Sequence, residues 1–461
     1  MDGGHCPLYE TLAQKSYIEF IMEKSTLPTS ESIPFWQPLT NRNFRLLFIG
    51  ESVSNLGDQF YLVALPWLTI QLTGSPLELG VVWMAVAIPR AILMLVGGAL
   101  TDRFSPRWIM ITSNTLRAGL TAILALLVGF QVTELWHLYL LAVSFGIVEG
   151  FFTPAAETIV PTLVPEKQLI ASNVLGQGAL QLIALIGPAL AGVLIAAIGI
   201  GIAFVVDATS FVVSTLALLL IRPQSQDAAL ANSGGCPACA AAAQTAIQNS
   251  PVVEPSLSDK IKSLQAGISE GLNYCWQYQP LRAVLIVLTL LNLLFIGPLQ
   301  VGITALTYER FSADPTALGI MISAWGAGGV IGTLTPQWLS RLPRLGVLML
   351  SLASIQAVGM VLLSVIPVVV IASLVIAVLG WCSSFFIILA TTWIQTITPP
   401  ELLGRVMSVA MMSSLGIAPL SYALAGVVAE FSLLVLFAGA GGIMLVLLGV
   451  LATKPSIRTI N

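Results

Sequence analysis

Charge is what this sequence has least of. Only 9% of its 461 residues are Asp, Glu, Lys or Arg, against 56% apolar, where a soluble domain gives about a quarter of its residues to charge. Water does not solvate such a chain. The 19 Lys and Arg against 22 Asp and Glu leave a formal charge of -3 and form no basic stripe, which excludes nucleic acid as a partner. Five cysteines (Cys6, Cys236, Cys239, Cys275, Cys382) and two histidines (His5, His137) are too sparse for a disulfide framework or a structural zinc site. Cys236 and Cys239 have no second ligand pair nearby, so neither a metal nor a cofactor is expected. No Gly-Lys-Ser/Thr phosphate loop occurs, so ATP hydrolysis inside this chain drives nothing, and no catalytic set marks an enzyme. The first 43 residues contain Glu10, Glu19, Glu23 and Glu31 and no apolar run long enough for a signal-peptide core. The first span is expected to serve as the insertion signal.

Long apolar runs are what the sequence has in abundance. Lipid offers no hydrogen-bond partners, so a crossing segment satisfies its own backbone, which roughly 20 apolar residues do as a helix. Runs fall near 44–72, 77–100, 107–130, 136–153, 168–198 and 200–220, then near 282–309, 315–339, 343–365, 368–397, 403–430 and 432–452. They predict an all-α, polytopic membrane protein with twelve transmembrane helices in two pseudo-symmetric six-helix halves. The predicted organisation is a tail 1–43, a first half 44–220, a linker 221–281, a second half 282–452 and a tail 453–461. Of the 19 Lys and Arg, Arg90 and Arg117 fall inside spans, Arg310 lies on one face, and all the others lie on the opposite face. The positive-inside rule then places both termini and the linker in the cytoplasm. Within the linker, 223–256 is rich in Ala, Ser, Pro, Gly and Gln and reads as a flexible tether. Leu257, Ile261, Leu264, Ile268, Leu272, Cys275 and Trp276 follow at helical spacing, the stripe of an amphipathic interfacial helix.

The halves repeat one another. Phe151, Phe152, Pro165, Leu190, Ala191 and Gly192 recur 234 positions later as Phe385, Phe386, Pro399, Leu424, Ala425 and Gly426. Pro76, Leu79 and Gly80 recur 239 positions later as Pro315, Leu318 and Gly319. Two related halves joined by a loop is the layout of transporters that rock about a site near the membrane midplane.

Between spans two and three stands Gly97-Gly98-Ala99-Leu100-Thr101-Asp102-Arg103-Phe104-Ser105-Pro106-Arg107. It resembles the cytoplasmic loop signature of the major facilitator superfamily through Gly98, Asp102, Arg103 and Arg107. Ser105 and Pro106 depart from that signature, and Gly332 to Arg344 in the second half lacks its acid-base pair. The runs Phe151-Phe152-Thr153-Pro154-Ala155, Gly187-Pro188-Ala189-Leu190-Ala191-Gly192 and Asp207-Ala208 look like the branch with macrolide-efflux proteins and the enterobactin exporter, among drug:proton antiporters. Ser54-Asn55-Leu56-Gly57-Asp58 and Gly404-Arg405-Val406 agree with it. The resemblance implies that Gly98, Asp102, Arg103, Arg107 and Arg405 form a gating cluster. It also implies that Gly187, Pro188 and Gly192 form a pliable antiporter-like fifth span, although Ile183 and Ala191 depart from its glycine pattern.

An ionisable side chain in the bilayer core costs about 2.5–3.5 kcal/mol on insertion scales, so each needs a reason. Glu51 and Asp58, seven residues apart, project from one face of the first span. With Glu149 on the fourth span, ahead of an expected break at Pro154, they are candidates for proton coupling, Asp58 first. The competing reading has Asp58 paired with Arg90 or Arg117 as a structural lock. Arg117 with Asn114 one turn before it, and Arg90, are candidates for contact with substrate. Glu157 is expected near the cytoplasmic end, and Asp207 reads as a helix-packing residue. Trp67, Trp325 and Trp381 are candidates to line an amphipathic cavity, with core packing the competing fate. The expectation is a monomeric, proton-coupled exporter of amphipathic small molecules, antibiotic or siderophore-like, in a prokaryotic inner membrane. A non-transporting membrane receptor or assembly factor, or an importer or uniporter of the same fold, are the rivals.

Overall fold

A chain surrounded by lipid has to pair its backbone within each segment, and this one does so almost entirely as helix. The computed structural model of the protein describes residues 34–101, 104–222, 273–335 and 345–453, and among these no strand occurs. The first six helices are α1 (Arg42–Thr73), α2 (Pro76–Thr101), α3 (Pro106–Gly129), α4 (Leu135–Leu163), α5 (Leu169–Ile198) and α6 (Gly201–Leu220). In the second half are α7 (Gln279–Arg310), α8 (Pro315–Leu334), α9 (Leu345–Leu363) and α10 (Val369–Ile397). They are followed by α11, made of Pro400–Leu415 and Ala418–Phe431, and α12 (Leu433–Ala452). Eleven of these are long and apolar enough to cross a membrane. The remaining one, α1, has 32 residues and carries the Glu51 and Asp58 that lower its apolarity. Large apolar side chains such as Ile170, Leu374 and Val446 face outward, the arrangement lipid favours. Most of the predicted linker, including Cys236, Cys239 and the stripe from Leu257 to Leu272, lies outside the described residues, as does most of the N-terminal tail.

The expected break at Pro154 does not occur: α4 runs on to Leu163 through Pro154 and Pro161. Proline removes the donor that would satisfy the carbonyl four residues earlier, and a neighbouring glycine lets the bundle accommodate it. The Gly150 carbonyl, freed by Pro154, lies where a Cβ on Gly97 of α2 would be 2.6 Å away. The Ala184 carbonyl, freed by Pro188 in α5, abuts Gly326 of α8 in the same manner. Conversely, α7 contains a wider π-type turn at Pro298–Gly302. There Ser421 of α11 donates to Leu293 O at 2.6 Å and accepts from Gly297 N at 2.8 Å.

The two halves meet through α2 against α11 and α5 against α8. A Cβ on Gly80 would sit 3.0 Å from Gly426 Cα, and one on Gly192 would sit 3.1 Å from Gly319 Cα. These are the repeat-related glycines: Gly80 corresponds to Gly319 and Gly192 to Gly426, so the two contacts are copies of one another about a pseudo-twofold axis. Both lie near the end of the bundle that carries the 74–75, 199–200, 311–314 and 432 connections, called here the far end. There too Glu430 of α11 accepts from Ser75 Oγ (2.7 Å) and from the backbone N–H of Leu77 (3.1 Å), joining the halves across the α2 N-terminus. The opposite end, with the 104–105, 164–168 and 221–222 connections, is the linker end.

Candidate substrate cavity and its charge cluster

A cavity of about 500 Å³ lies between α1, α3, α4 and α5 and reaches residues near the linker end. Phe44, Val160 and Ser172 form its outer wall and Asp58 and Arg117 its floor. Asp58 lies about 21 Å along α1 from Phe44 at 1.5 Å per residue. Four carboxylates (Glu51, Asp58, Glu149, Glu157) and one guanidinium (Arg117) border the space, together with Phe44, Phe48 and Phe152 and the amides of Asn55, Asn173 and Gln177. The wall is amphipathic and, by formal charge, acidic.

Arg117 organises the floor. It is 3% exposed, and its guanidinium carbon lies 4.2 Å from the ring centre of Phe152, 5.3 Å from Phe145 and 5.4 Å from Phe211. Three ring faces thus replace part of its lost hydration, each cation–π contact contributing about 0.5–2 kcal/mol. Its charge reaches Glu51, Asp58 and Asp207, yet among the described residues the ion pair found is between Arg90 and Glu149, at 3.0 Å. That pair ties α2 to α4. Arg117 therefore interacts with several carboxylates at a distance and is locked to none of them.

The sequence reading placed Glu51 and Asp58 on one face of the first span, and both border the cavity, with Glu149 across from them. Asn114 is buried beside the cavity; its Nδ2 donates to Ser214 Oγ (3.0 Å), which in turn donates to Glu51 Oε1 (3.3 Å). Trp67, Trp325 and Trp381 are absent from this wall: Trp67 is fully buried edge-on to Tyr308, Trp325 packs on Phe295, and Trp381 Nε1 donates to Thr335 Oγ1 at 2.9 Å. Arg107 donates from Nε to Leu218 O (2.8 Å) and from Nη2 to Leu219 O (2.9 Å), capping the last turn of α6. Free carbonyls and the negative end of the helix dipole account for that placement. Gly98 belongs to the last turns of α2 and Arg405 to α11, while Asp102 and Arg103 lie outside the described residues. Gly187 packs on Gln59 of α1 with no room for a Cβ, Pro188 abuts Gly319, and Ala189 N donates to Ser323 Oγ (2.8 Å).

Phe145, Phe211, Thr121, Ser214 and the buried Asp207 were not singled out as site residues from sequence. One signal was present: Asp207, Ser210 and Ser214 recur at helical spacing on one face of α6. That face meets Gly50 and Gly57 of α1, where missing side chains let the helices approach.

The model of the Major Facilitator Superfamily matches residues 47–419. The chain is 27% identical over 429 residues to a protein named multidrug efflux pump Tap of Mycolicibacterium fortuitum, covering 90% of this chain and 96% of that one. It is 21% identical over 371 residues to macrolide efflux protein A of Streptococcus pyogenes, covering 79% and 84%. Among solved structures, the nucleoside transporter NupG superposes with a TM-score of 0.65 at 15% identity, covering 89% of this chain and 98% of that one. A bacterial homologue of the iron transporter ferroportin, in an inward-facing state, superposes with a TM-score of 0.63 at 16% identity, covering 90% and 99%. These structures share the fold.

Proposed function

This chain belongs to the Major Facilitator Superfamily, and from that premise we propose that it is a proton-coupled exporter of amphipathic small molecules working by alternating access. The observation that carries the reading is the cavity that runs from near the linker end to Glu51, Asp58 and Arg117, while paired glycines bring the two halves together near the far end. In this reading the linker end faces the cytoplasm of a bacterium, in keeping with the Lys/Arg bias and with relatives named as bacterial efflux proteins. Substrate enters from that side and leaves at the far end once the halves rock. The protein acts as a monomer, since one chain supplies the cavity wall and both contacts between the halves.

Asp58 is the favoured coupling acid because it lies deepest among the lining carboxylates of α1 and competes with Glu51 for the one guanidinium. Glu149, paired with Arg90, is accessory. Four carboxylates and aromatic rings around the space favour an amphipathic cation over an anionic siderophore. Accumulation of erythromycin, ethidium and a catecholate siderophore in an efflux-deficient bacterial host tests this. Wild type is expected to lower accumulation of the two cations, and the effect is lost when the proton gradient is collapsed or Asp58 is replaced by Asn. Lowered accumulation that persists without a proton gradient would reject proton coupling.

A further inference from the structure

Asp207 is costly as it stands. It is fully buried, and neither carboxyl oxygen accepts a hydrogen bond. The two hydroxyls beside it are committed elsewhere: Thr121 Oγ1 donates to Arg117 O (2.8 Å) and Ser210 Oγ donates to the main-chain oxygen of Asp207 (2.8 Å). Facing it on α1 is Gly57, which has no side chain, so that a Cβ there would lie 2.9 Å from Asp207 Oδ1. The charged and titratable groups that reach it are Asp58 and Tyr61 from α1 and Arg117 from α3; α5, the other neighbour, carries no ionisable residue. No guanidinium nitrogen makes an ion pair with it, and Arg117 Nε is itself buried without a partner.

An ionised carboxylate stripped of water and of donors is unfavourable by several kcal/mol. A protonated one fits these surroundings, because full burial with no hydrogen-bond partner on either carboxyl oxygen penalises the charge. We infer that Asp207 is a second proton-holding site, sealed from the cavity, which keeps a proton while the linker end is open and exchanges it with cavity-facing Asp58. The step balances within the pair: the O–H bond on Asp207 breaks, one forms on Asp58, and the negative charge moves to Asp207. The Arg117 guanidinium, shared between the two and fixed to neither, follows that charge. A substrate cation beside Glu51 and Asp58 would favour release of the proton into the cavity. The inference rests on the proton-coupled reading above and adds where the proton waits.

Two measurements on purified full-length protein test it. The infrared carbonyl stretch of a dry, protonated carboxylic acid should be present in wild type at neutral pH, lost in Asp207→Asn and restored in Asp207→Glu. In proteoliposomes, Asp207→Asn should keep ethidium exchange at equal concentrations within about twofold of wild type, while accumulation driven by an imposed pH gradient falls at least tenfold. A variant that keeps the infrared band, or that still accumulates ethidium as wild type does, overturns the inference and returns Asp207 to helix packing. Loss of exchange and accumulation together in a monodisperse Asp207→Asn, with Asp207→Glu equally inactive, also overturns it, since a structural role explains that result. Wild type that exchanges ethidium but ignores the pH gradient rejects the proton-coupled reading itself, whatever the infrared band shows.

Discussion

At the scale of single residues, the floor of the cavity is a case of one cation serving several anions. Arg117 has surrendered its water to three phenyl rings and to the fields of Glu51, Asp58 and Asp207. Removing it leaves those carboxylates facing one another in a place water reaches only from one side. Breaking a buried charge arrangement by deleting one partner costs about 3–5 kcal/mol, so Arg117→Met is expected to lower the thermal midpoint in detergent strongly. Arg117→Lys restores the charge but not the flat guanidinium face that lies over Phe152, so its midpoint should fall between the two. A midpoint for Arg117→Met equal to that of wild type would mean that the carboxylates do not depend on the guanidinium. Sequence showed Arg117 as an intramembrane charge in need of a reason, but not which reason. Its rings come from α4 and α6, at Phe145, Phe152 and Phe211, and no spacing within α3 announces partners supplied by other helices. The surroundings of Asp207 are hidden for a related cause. A lone acid in an apolar span looks the same in sequence whether a donor meets it or not.

At the scale of the helix, the apolar runs were legible because crossing lipid demands length and self-pairing, and most helix ends agree with the runs to a few residues. Where the reading failed, at Pro154, the failure is instructive: proline breaks a helix in water, but here its orphaned carbonyl is pressed against Gly97 of α2. That compensation comes from another helix and is invisible in a local pattern. The same dependence on glycine governs the paired crossings. Because a Cβ on Gly192 would stand 2.6 Å from the carbonyl oxygen of Pro315, and backbone cannot yield as a side-chain tip does, Gly192→Leu should wedge α5 from α8. If each half moves as a rigid body, the wedge must also open the repeat-related crossing of α2 and α11. The readout is a single cysteine at Ala425, 2% exposed, in a chain whose five native cysteines are replaced by serine. An impermeant maleimide should label it slowly in the parent and at least fivefold faster with Gly192→Leu. Unchanged labelling would mean that the two crossings open independently.

For the whole molecule, transport requires the open and closed ends to exchange at modest energetic cost, so the contacts holding the far end must be weak enough to release. The glycine crossings supply shape without strong polar bonds. Glu430 supplies a small, removable electrostatic term, accepting from Ser75 Oγ and Leu77 N at the start of α2 from an exposed position. A carboxylate at an exposed helix N-terminus contributes about 0.3–1 kcal/mol, and it does so only while the halves are joined at this end. Glu430→Ala should therefore shift the equilibrium toward the form open at the far end by about 2–5-fold, the factor that energy corresponds to. Since only the form open at the linker end receives substrate from that side, the apparent affinity there falls by the fraction of molecules that leave it. Ethidium binding to inside-out vesicles, which expose the cytoplasmic face, should weaken by up to that factor in Glu430→Ala, while binding to right-side-out vesicles strengthens. Equal weakening on both faces would instead mean that the substitution damages the cavity, to which Glu430 does not contribute a lining residue, and that Glu430 is no latch.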